Sequence, residues 1–371
     1  MHKLTFFPLG NAETMLIDLE NGRKLLVDFA DVRDYNNQFD LRCKLSDRLR
    51  DDLNTSNRDD YDVVAFSHLD NDHVFKASEF FWFEHASKYQ SDDRANIAEL
   101  WVPAAAIVET GVDGDAQVIR AEARYRLKNG KGIRVFSAPD TLRDWFESEG
   151  LDLTAYRASG IVVDAGQVIP GFDLSCDGVE FFVHSPFASR TDDGTLIERN
   201  RDAMVLQATF QVGAQLTRAL ITADVTCDEL DEIVRMTRLR KRDERLLWDI
   251  YDIPHHCSYK SIGPEKGKEQ TEPTDNVAWL MEQGHSGAVL VSSSDSTPSQ
   301  DTDQPPHRQA AAFYRKIADD LEGEFVVTME HPKSTGPEPL VIEIGDRGAV
   351  RRKLVVPAAV SVVSAPAPRV G

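Results

Sequence analysis

The segment Ser67-His68-Leu69-Asp70-Asn71-Asp72-His73 places two imidazoles and two carboxylates on one short stretch, directly behind the apolar run Val63-Val64-Ala65-Phe66. Imidazole and carboxylate together suit zinc, manganese or iron. A loop this rich in carboxylate can hold two cations, because each negative charge offsets part of their mutual repulsion. A lone His-x-Asp is an ordinary polar turn. Here further candidate ligands recur along the chain at the ends of predicted strands: Asp28 upstream, and His184, Asp224 and the pair His255-His256 within Pro254-His255-His256-Cys257-Ser258 downstream, with His307 after Pro305-Pro306 as a further candidate.

The elements that must carry these residues follow from period and punctuation. Three strands open the chain, ending in Lys24-Leu25-Leu26-Val27-Asp28-Phe29, and Asn21-Gly22 predicts a hairpin turn between the second and third. Helical, amphipathic spacing covers residues 40–57, and the aromatic-rich 75–88 also reads as helix. Leu100-Trp101-Val102-Pro103 is a strand signal, with a long helix expected through about 128. Val179-Glu180-Phe181-Phe182-Val183-His184 is a strand between Asp177-Gly178 and Pro186. A hairpin turns at Gly213-Ala214, a helix is expected over 227–245, and Leu247 to Ile253 leads into His255. Strands come first, helices then interleave, and the pattern repeats. That order predicts two packed sheets with helices outside, an αββα sandwich, over a doubly wound parallel sheet.

The 371 residues carry 62 acidic and 42 basic side chains, a formal charge of −20. This argues against a broad basic face for duplex nucleic acid. It does not exclude a phosphate substrate, because bound cations reverse the local sign. The basic cluster Arg235, Arg238, Arg240, Lys241, Arg242 and Arg245 reads as a solvated helix face or a phosphate-steering patch. No run of about 18 apolar residues predicts a membrane span. The opening Met1-His2-Lys3-Leu4 lacks a signal-peptide pattern, and Cys43, Cys176, Cys227 and Cys257 form no paired spacing. A reduced, cytoplasmic protein is the expectation. Residues 356–371, rich in Ala, Val and Pro, are expected to form a disordered tail.

Taken in order, these motifs resemble the metallo-β-lactamase superfamily, and within it the hydrolase domain of ComEC-type competence proteins and their stand-alone relatives. His68-Leu69-Asp70-Asn71-Asp72-His73 is similar to their HxDxDH. Phe182-Val183-His184-Ser185-Pro186, Asn200-Arg201-Asp202-Ala203-Met204-Val205-Leu206, Ala219-Leu220-Ile221-Thr222-Ala223-Asp224 and Ile253-Pro254-His255-His256-Cys257-Ser258 are similar to the strand, Asn, Asp and His-His motifs that follow. The chain departs from the pattern where the family has glycines: Val74-Phe75 follows the first motif, Ala223 precedes Asp224, and Cys257 follows His256.

The resemblance implies a four-layer αββα hydrolase domain over residues 1–355, with 90–150 as a rim segment. It implies two divalent ions, zinc first and manganese second. His68, Asp70 and His184 would hold one ion, and Asp72, His73 and His255 the other. Asp224 would bridge them and Asp28 would orient a ligand. The sequence leaves open which of His184, His255 and His256 ligate. Asp72, His256 and His307 are the candidates for orienting water or contacting a phosphate oxygen. Ser292, Ser293 and Ser294 read as phosphate donors or plain loop serines, and Cys257 as a soft ligand or a buried thiol. The expected activity is hydrolysis of a phosphodiester, with single-stranded nucleic acid or a nucleotide as substrate and no membrane partner. Hydrolysis of another ester, thioester or lactone, or a non-catalytic binding module, are the alternatives. No protein partner is predicted.

Overall fold

The computed structural model describes residues 1–187, 199–200 and 202–352. The expected tail, residues 356–371, and Arg201 of the Asn motif lie outside these. Among the described residues fifteen strands form two sheets. In chain order they are β1 (His2–Phe6), β2 (Met15–Asp18), β3 (Lys24–Val27), β4 (Asp60–Ala65), β5 (Asn96–Pro103), β6 (Ile133–Phe136) and β7 (Val162–Val163). Then follow β8 (Val179–Ser185), β9 (Val205–Val212), β10 (Gln215–Ile221), β11 (Trp248–Asp252), β12 (Gly284–Ser292), β13 (Glu324–Val327), β14 (Leu340–Gly345) and β15 (Gly348–Arg351). The helices are α1 (Leu45–Thr55), α2 (Asn71–Val74), α3 (Ala77–Phe80), α4 (Ala104–Val108), α5 (Gly114–Asn129), α6 (Asp140–Ser148), α7 (Leu153–Ala158), α8 (Cys227–Leu239), α9 (Asp275–Met281) and α10 (Arg308–Asp320).

One sheet runs β15-β14-β1-β2-β3-β4-β5-β6-β7, the other β13-β12-β11-β10-β9-β8. From β3 to β7, and again from β10 to β13, neighbouring strands are parallel. Side-chain alternation divides each strand between two cores. Val63, Trp101, Val183, Ile221 and Ile250 fill the space between the sheets. Val64 and Leu100 face one helical layer, and Leu220 and Tyr251 the other. The result is the four-layer αββα sandwich the strand order leads one to expect.

Local chemistry sets the joints. Asn21-Gly22 turns β2 into β3, with Gly22 at φ 88°. Gly130 ends α5 in the left-handed region, where a side chain would be strained. Thr226 and Glu229 form a capping box that starts α8. The aromatic stretch 75–88 is not one helix. Lys76 has φ 61°, α3 lasts one turn, and Phe80 and Phe81 both pack on Phe29, at ring distances of 4.8 and 5.2 Å. Adjacent helical positions point about 100° apart, so burying both on one neighbour breaks the helix. The expected helix over 227–245 ends at Leu239, and a short 3-10 turn, Asp243–Leu246, follows. The expected long helix after Pro103 is two, α4 and α5. The sequence reading also passed over α9.

Trp101 is the centre of the inter-sheet core, edge-on to Phe136, Phe172 and Phe181 at 5.6–5.7 Å. Trp101→Ala should cost about 3–5 kcal/mol of unfolding free energy, read as a lower midpoint in urea denaturation.

Candidate metal centre

The parallel strands of both sheets point their C-terminal ends at one place. Asp28 follows β3, the His68–His73 loop follows β4, Asp224 follows β10 and His255-His256 follows β11. Open parallel sheets collect ligand sites at that end. One oxygen or nitrogen each from Asp72, His73, Asp224 and His256 lies within 4.8 Å of all the others. The His68 ring is 4.1 Å from that of His73, and its Nε2 is 3.5 Å from Asp70 Oδ2. His255 lines an adjoining cavity together with Asp70.

The imidazoles are held by their far nitrogens. His73 Nδ1–H donates to Asp28 Oδ2 at 2.8 Å, and Ser67 donates to the same carboxylate from its backbone N–H (2.7 Å) and its hydroxyl (2.6 Å). His68 Nδ1–H donates to Ser67 Oγ at 3.0 Å. His256 Nδ1–H donates to the Ser293 carbonyl at 2.7 Å. In each ring Nε2 is left to face the cluster, the arrangement that fixes a ligating tautomer. Asp28 thus sits behind the His73 ring.

Burial and charge compete within the cluster. Burial pulls the His73 imidazole down, but Asp224 and Asp28 outweigh it and hold it well above its usual range. Burial likewise lowers His256, yet Asp224 and Asp72 bring it up to about 9. Asp224 stays ionised far below the ordinary carboxylate range, because the imidazoles His256 and His73 overcome the cost of burial. Asp70 falls to about 2 against its own burial, through His68 and Arg199. Such a set attracts cations. Among the described residues the buried atoms His68 Nε2, His73 Nε2, Asp224 Oδ1 and His255 Nδ1 make no well-formed hydrogen bond, His73 Nε2 and Asp224 Oδ1 meeting only as an ion pair at 3.3 Å, and divalent ions suit nitrogen and oxygen donors placed in this way.

Other expected residues lie elsewhere. His184 is not with the cluster. Val183 points into the inter-sheet core, so the next residue points outward, where His184 Nε2–H donates to the Arg245 carbonyl at 2.9 Å. Its Nδ1 is 3.5 Å from the Thr237 hydroxyl, so both ring nitrogens face the α8 side. His256, which the sequence left open as a ligand or a contact to substrate, stands among the four clustered side chains. His307 braces the turn behind them: its N–H donates to the Cys257 carbonyl at 3.1 Å and its Nδ1 accepts from Tyr259 N–H at 3.3 Å. Cys257 is buried in the outer core, and burial pushes its thiol up to about 12, which removes the thiolate a soft ligand needs. Ser292 and Ser294 hydrogen-bond each other at 2.7 Å, and Ser293 acts through its carbonyl on His256.

Three residues escaped sequence reading. Glu13 is buried beside Asp28 and His73, and Asp252 ends β11 beneath them. Burial raises both carboxyls, Glu13 strongly and Asp252 to about 7, so this lower layer holds protons where the upper one holds charge. Asp252 did carry a signal, an acid closing a strand, as Asp28 and Asp224 do. Arg199 reaches Asp70 and Glu109, each at 2.8 Å. The cavity of about 820 Å³ in front of Asp70 and His255 is also lined by Arg199, Asn200, Tyr259 and Lys260.

No protein-family model and no curated protein sequence matches the chain. Solved structures do. A diphosphatase of the PhnP family aligns over 82% of this chain and 92% of its own, at 10% identity and a TM-score of 0.31. Unliganded yeast PDE1 aligns over 88% and 97%, at 10% identity and a TM-score of 0.38. The metallo-β-lactamase GOB-18 from Elizabethkingia meningoseptica aligns over 86% and 89%, at 11% identity and a TM-score of 0.31. These are likenesses of fold, and one of the neighbours is itself a metallo-β-lactamase, the superfamily that the sequence motifs resemble. The narrower likeness to competence proteins rests on those motifs alone.

Burial lowers His184 to about 4, so the native state keeps it neutral while the unfolded chain takes up a proton near 6.5. Its contribution is therefore full above pH 6.5 and is lost as pH falls towards 4. Between pH 7.5 and 5 the protein should lose about 2 kcal/mol more stability than His184→Gln does, at about 1.4 kcal/mol per pH unit. Urea denaturation at the two pH values measures the difference.

Proposed function

We propose that the protein is a metal-dependent hydrolase acting on phosphodiesters. The observation that carries this reading is the convergence of Asp72, His73, Asp224 and His256, whose ring nitrogens and carboxylate oxygens lie within 4.8 Å of one another. In the proposal Asp72, His73, Asp224 and His256 would hold one ion, and His68, Asp70 and His255 would be the donors available to a second. Zinc is the first candidate and manganese the second. Bound ions would supply a water acidic enough to ionise near neutral pH and positive charge for the phosphoryl oxygens.

The chain's own residues do the rest. Asp28 and Ser293 lock the His73 and His256 rings, so the ligand nitrogens need no rearrangement on loading. Arg199 ties Asp70 to Glu109 of the 90–150 segment, which supports that segment's role as the rim. Lys260 is exposed at the cavity and provides a cation for a non-bridging oxygen of the substrate. Tyr259, half-buried there, offers a ring face to a base or aryl leaving group. An arginine and a lysine in front of the proposed ions favour a phosphate ester over a neutral lactone or thioester. The hydrolase unit is taken as residues 1–355. Among the described residues no helix is long and apolar enough to cross a membrane.

Elemental mass spectrometry of the purified protein should find about two equivalents of metal, in line with a dinuclear site. Asp72→Ala and His256→Ala should each lose metal and at least about a hundredfold in hydrolysis of a chromogenic phosphodiester, as loss of a transition-state contact does. Lys260→Ala should raise KM and leave metal content intact. Absence of metal after incubation with zinc and manganese would sink the proposal. Metal without phosphodiesterase activity, but with esterase or lactonase activity, would move the assignment to those bonds.

A further inference from the structure

Six basic residues fall between Arg235 and Arg245 in a chain of net charge −20. The fold divides them. Arg235 pairs with Glu232 at 2.7 Å, and Arg238 stands 4.3 Å over the Trp279 ring. Arg240, Arg242 and Arg245 instead line a groove with Arg157, along the β7–β8 edge of the sandwich. Lys241, at φ 56°, turns the chain between the first two of them. The groove consists of two adjoining cavities, of about 500 and 780 Å³, that share Arg157, Gly166, Gln167, Phe182 and Arg242.

The carboxylates Asp164 and Glu244 also line it, but among the described residues two of its arginines have no counter-charge. Arg157 keeps Asp164 at 3.2 Å, and Arg245 keeps Glu180 at 2.5 Å. Among the described residues no carboxylate pairs with Arg240 or Arg242. Arg242 is held by neutral groups: it donates to the Gly166 carbonyl at 2.5 Å and lies 5.9 Å from the centre of the Phe182 ring, where Arg245 also sits, at 4.9 Å. A guanidinium steadied by a backbone carbonyl and a ring face retains donors for an outside anion. The groove shares no residue with the cavity in front of the metal centre. It lies on β8, two strands from β10, and so about 10 Å across the sheet.

We propose that this groove binds the sugar–phosphate backbone of a single-stranded nucleic acid. A compact anion would engage one of the two cavities, whereas the arginines are spread along both, as successive phosphates are along a strand. A duplex brings one charge per roughly 1.7 Å and would be opposed by the chain's net charge of −20. A flexible single strand can follow the groove alone. The inference deepens the phosphodiester reading by naming a polymer as substrate, but its binding test does not depend on cleavage.

The test uses the full chain with Asp224→Asn, so that the probe stays intact. Fluorescence anisotropy with a labelled 20-nucleotide single strand should show salt-dependent binding. Adding Arg240→Gln and Arg242→Gln should weaken binding at least about tenfold and reduce the slope of log K against log salt by about 1.4, at about 0.7 per phosphate contact. Arg240→Lys with Arg242→Lys should restore most of the slope. Unchanged affinity in the glutamine variant, no binding by the parent at low salt, or equal binding of polyglutamate would overturn the proposal. An unchanged thermal midpoint in the glutamine variant separates lost contacts from lost fold. In the otherwise wild-type protein the same pair of glutamines should slow oligonucleotide cleavage and spare a small chromogenic diester. If no diester is cleaved at all, the hydrolase reading fails while the binding result stands.

Discussion

His73 is wholly buried with Asp28 at 2.8 Å on one ring nitrogen and Asp224 at 3.3 Å on the other. Charged groups in so dry a place are tolerable only when paired, and an unpaired one costs several kcal/mol. The pairing therefore constrains everything around it. Asp28 must close β3, Asp224 must close β10, and the loop after β4 must carry His73 between them. Two sheets are thereby locked at one end through a single imidazole. The backbone reinforces this: the N–H groups of Phe29 and Glu13 donate to the carbonyls of His73 and Asp72, at 2.9 and 3.0 Å.

Holding those positions strains the chain. Asp28, Ala223, His255, His256 and Cys257 all have φ between 50 and 65°. Non-glycine residues adopt this region at about 1 kcal/mol or more each. Ala223 and Cys257 thus follow this backbone path without being glycine, the residue that adopts it freely. The bonds made there offset the cost, among them His255 N–H to the Ala223 carbonyl at 3.0 Å. Cys257 also gains from burying its side chain in the outer core. Tight turns of this kind leave the two histidines little freedom to relax when a neighbour is removed, which suits a preorganised site.

Charge is arranged on three scales. Over the whole chain it is strongly negative, a property of solubility and long-range field. At the candidate metal centre Asp224 stays ionised against burial, while Glu13 and Asp252 below it are pushed towards the neutral form. The lower pair limits the negative charge that the dry interior must carry, since carboxylates crowded together cannot all ionise. At the β7–β8 edge the sign reverses locally, and arginines gathered on one groove stand out against the acidic remainder.

The sequence by itself determined the layered fold and the heart of the site, because both rest on local patterns. Apolar alternation and Asn21-Gly22 define strands and a hairpin, and His68 to His73 is a contiguous motif whose residues must share a loop. Asp28, Asp224 and His255-His256 were readable for a related reason: each directly follows an apolar strand, and parallel strands end together. Tertiary structure alone decided the rest. A strand's two faces look alike in one dimension, so only the packing of Val183 between the sheets shows that His184 points away from the cluster. Whether His255 or His256 joins the four-residue cluster depends on a left-handed turn that no periodicity announces. Glu13, Asp252 and Arg199 acquire meaning only from partners distant in the chain, since burial and electrostatic pairing are properties of positions in space and not of order along a sequence.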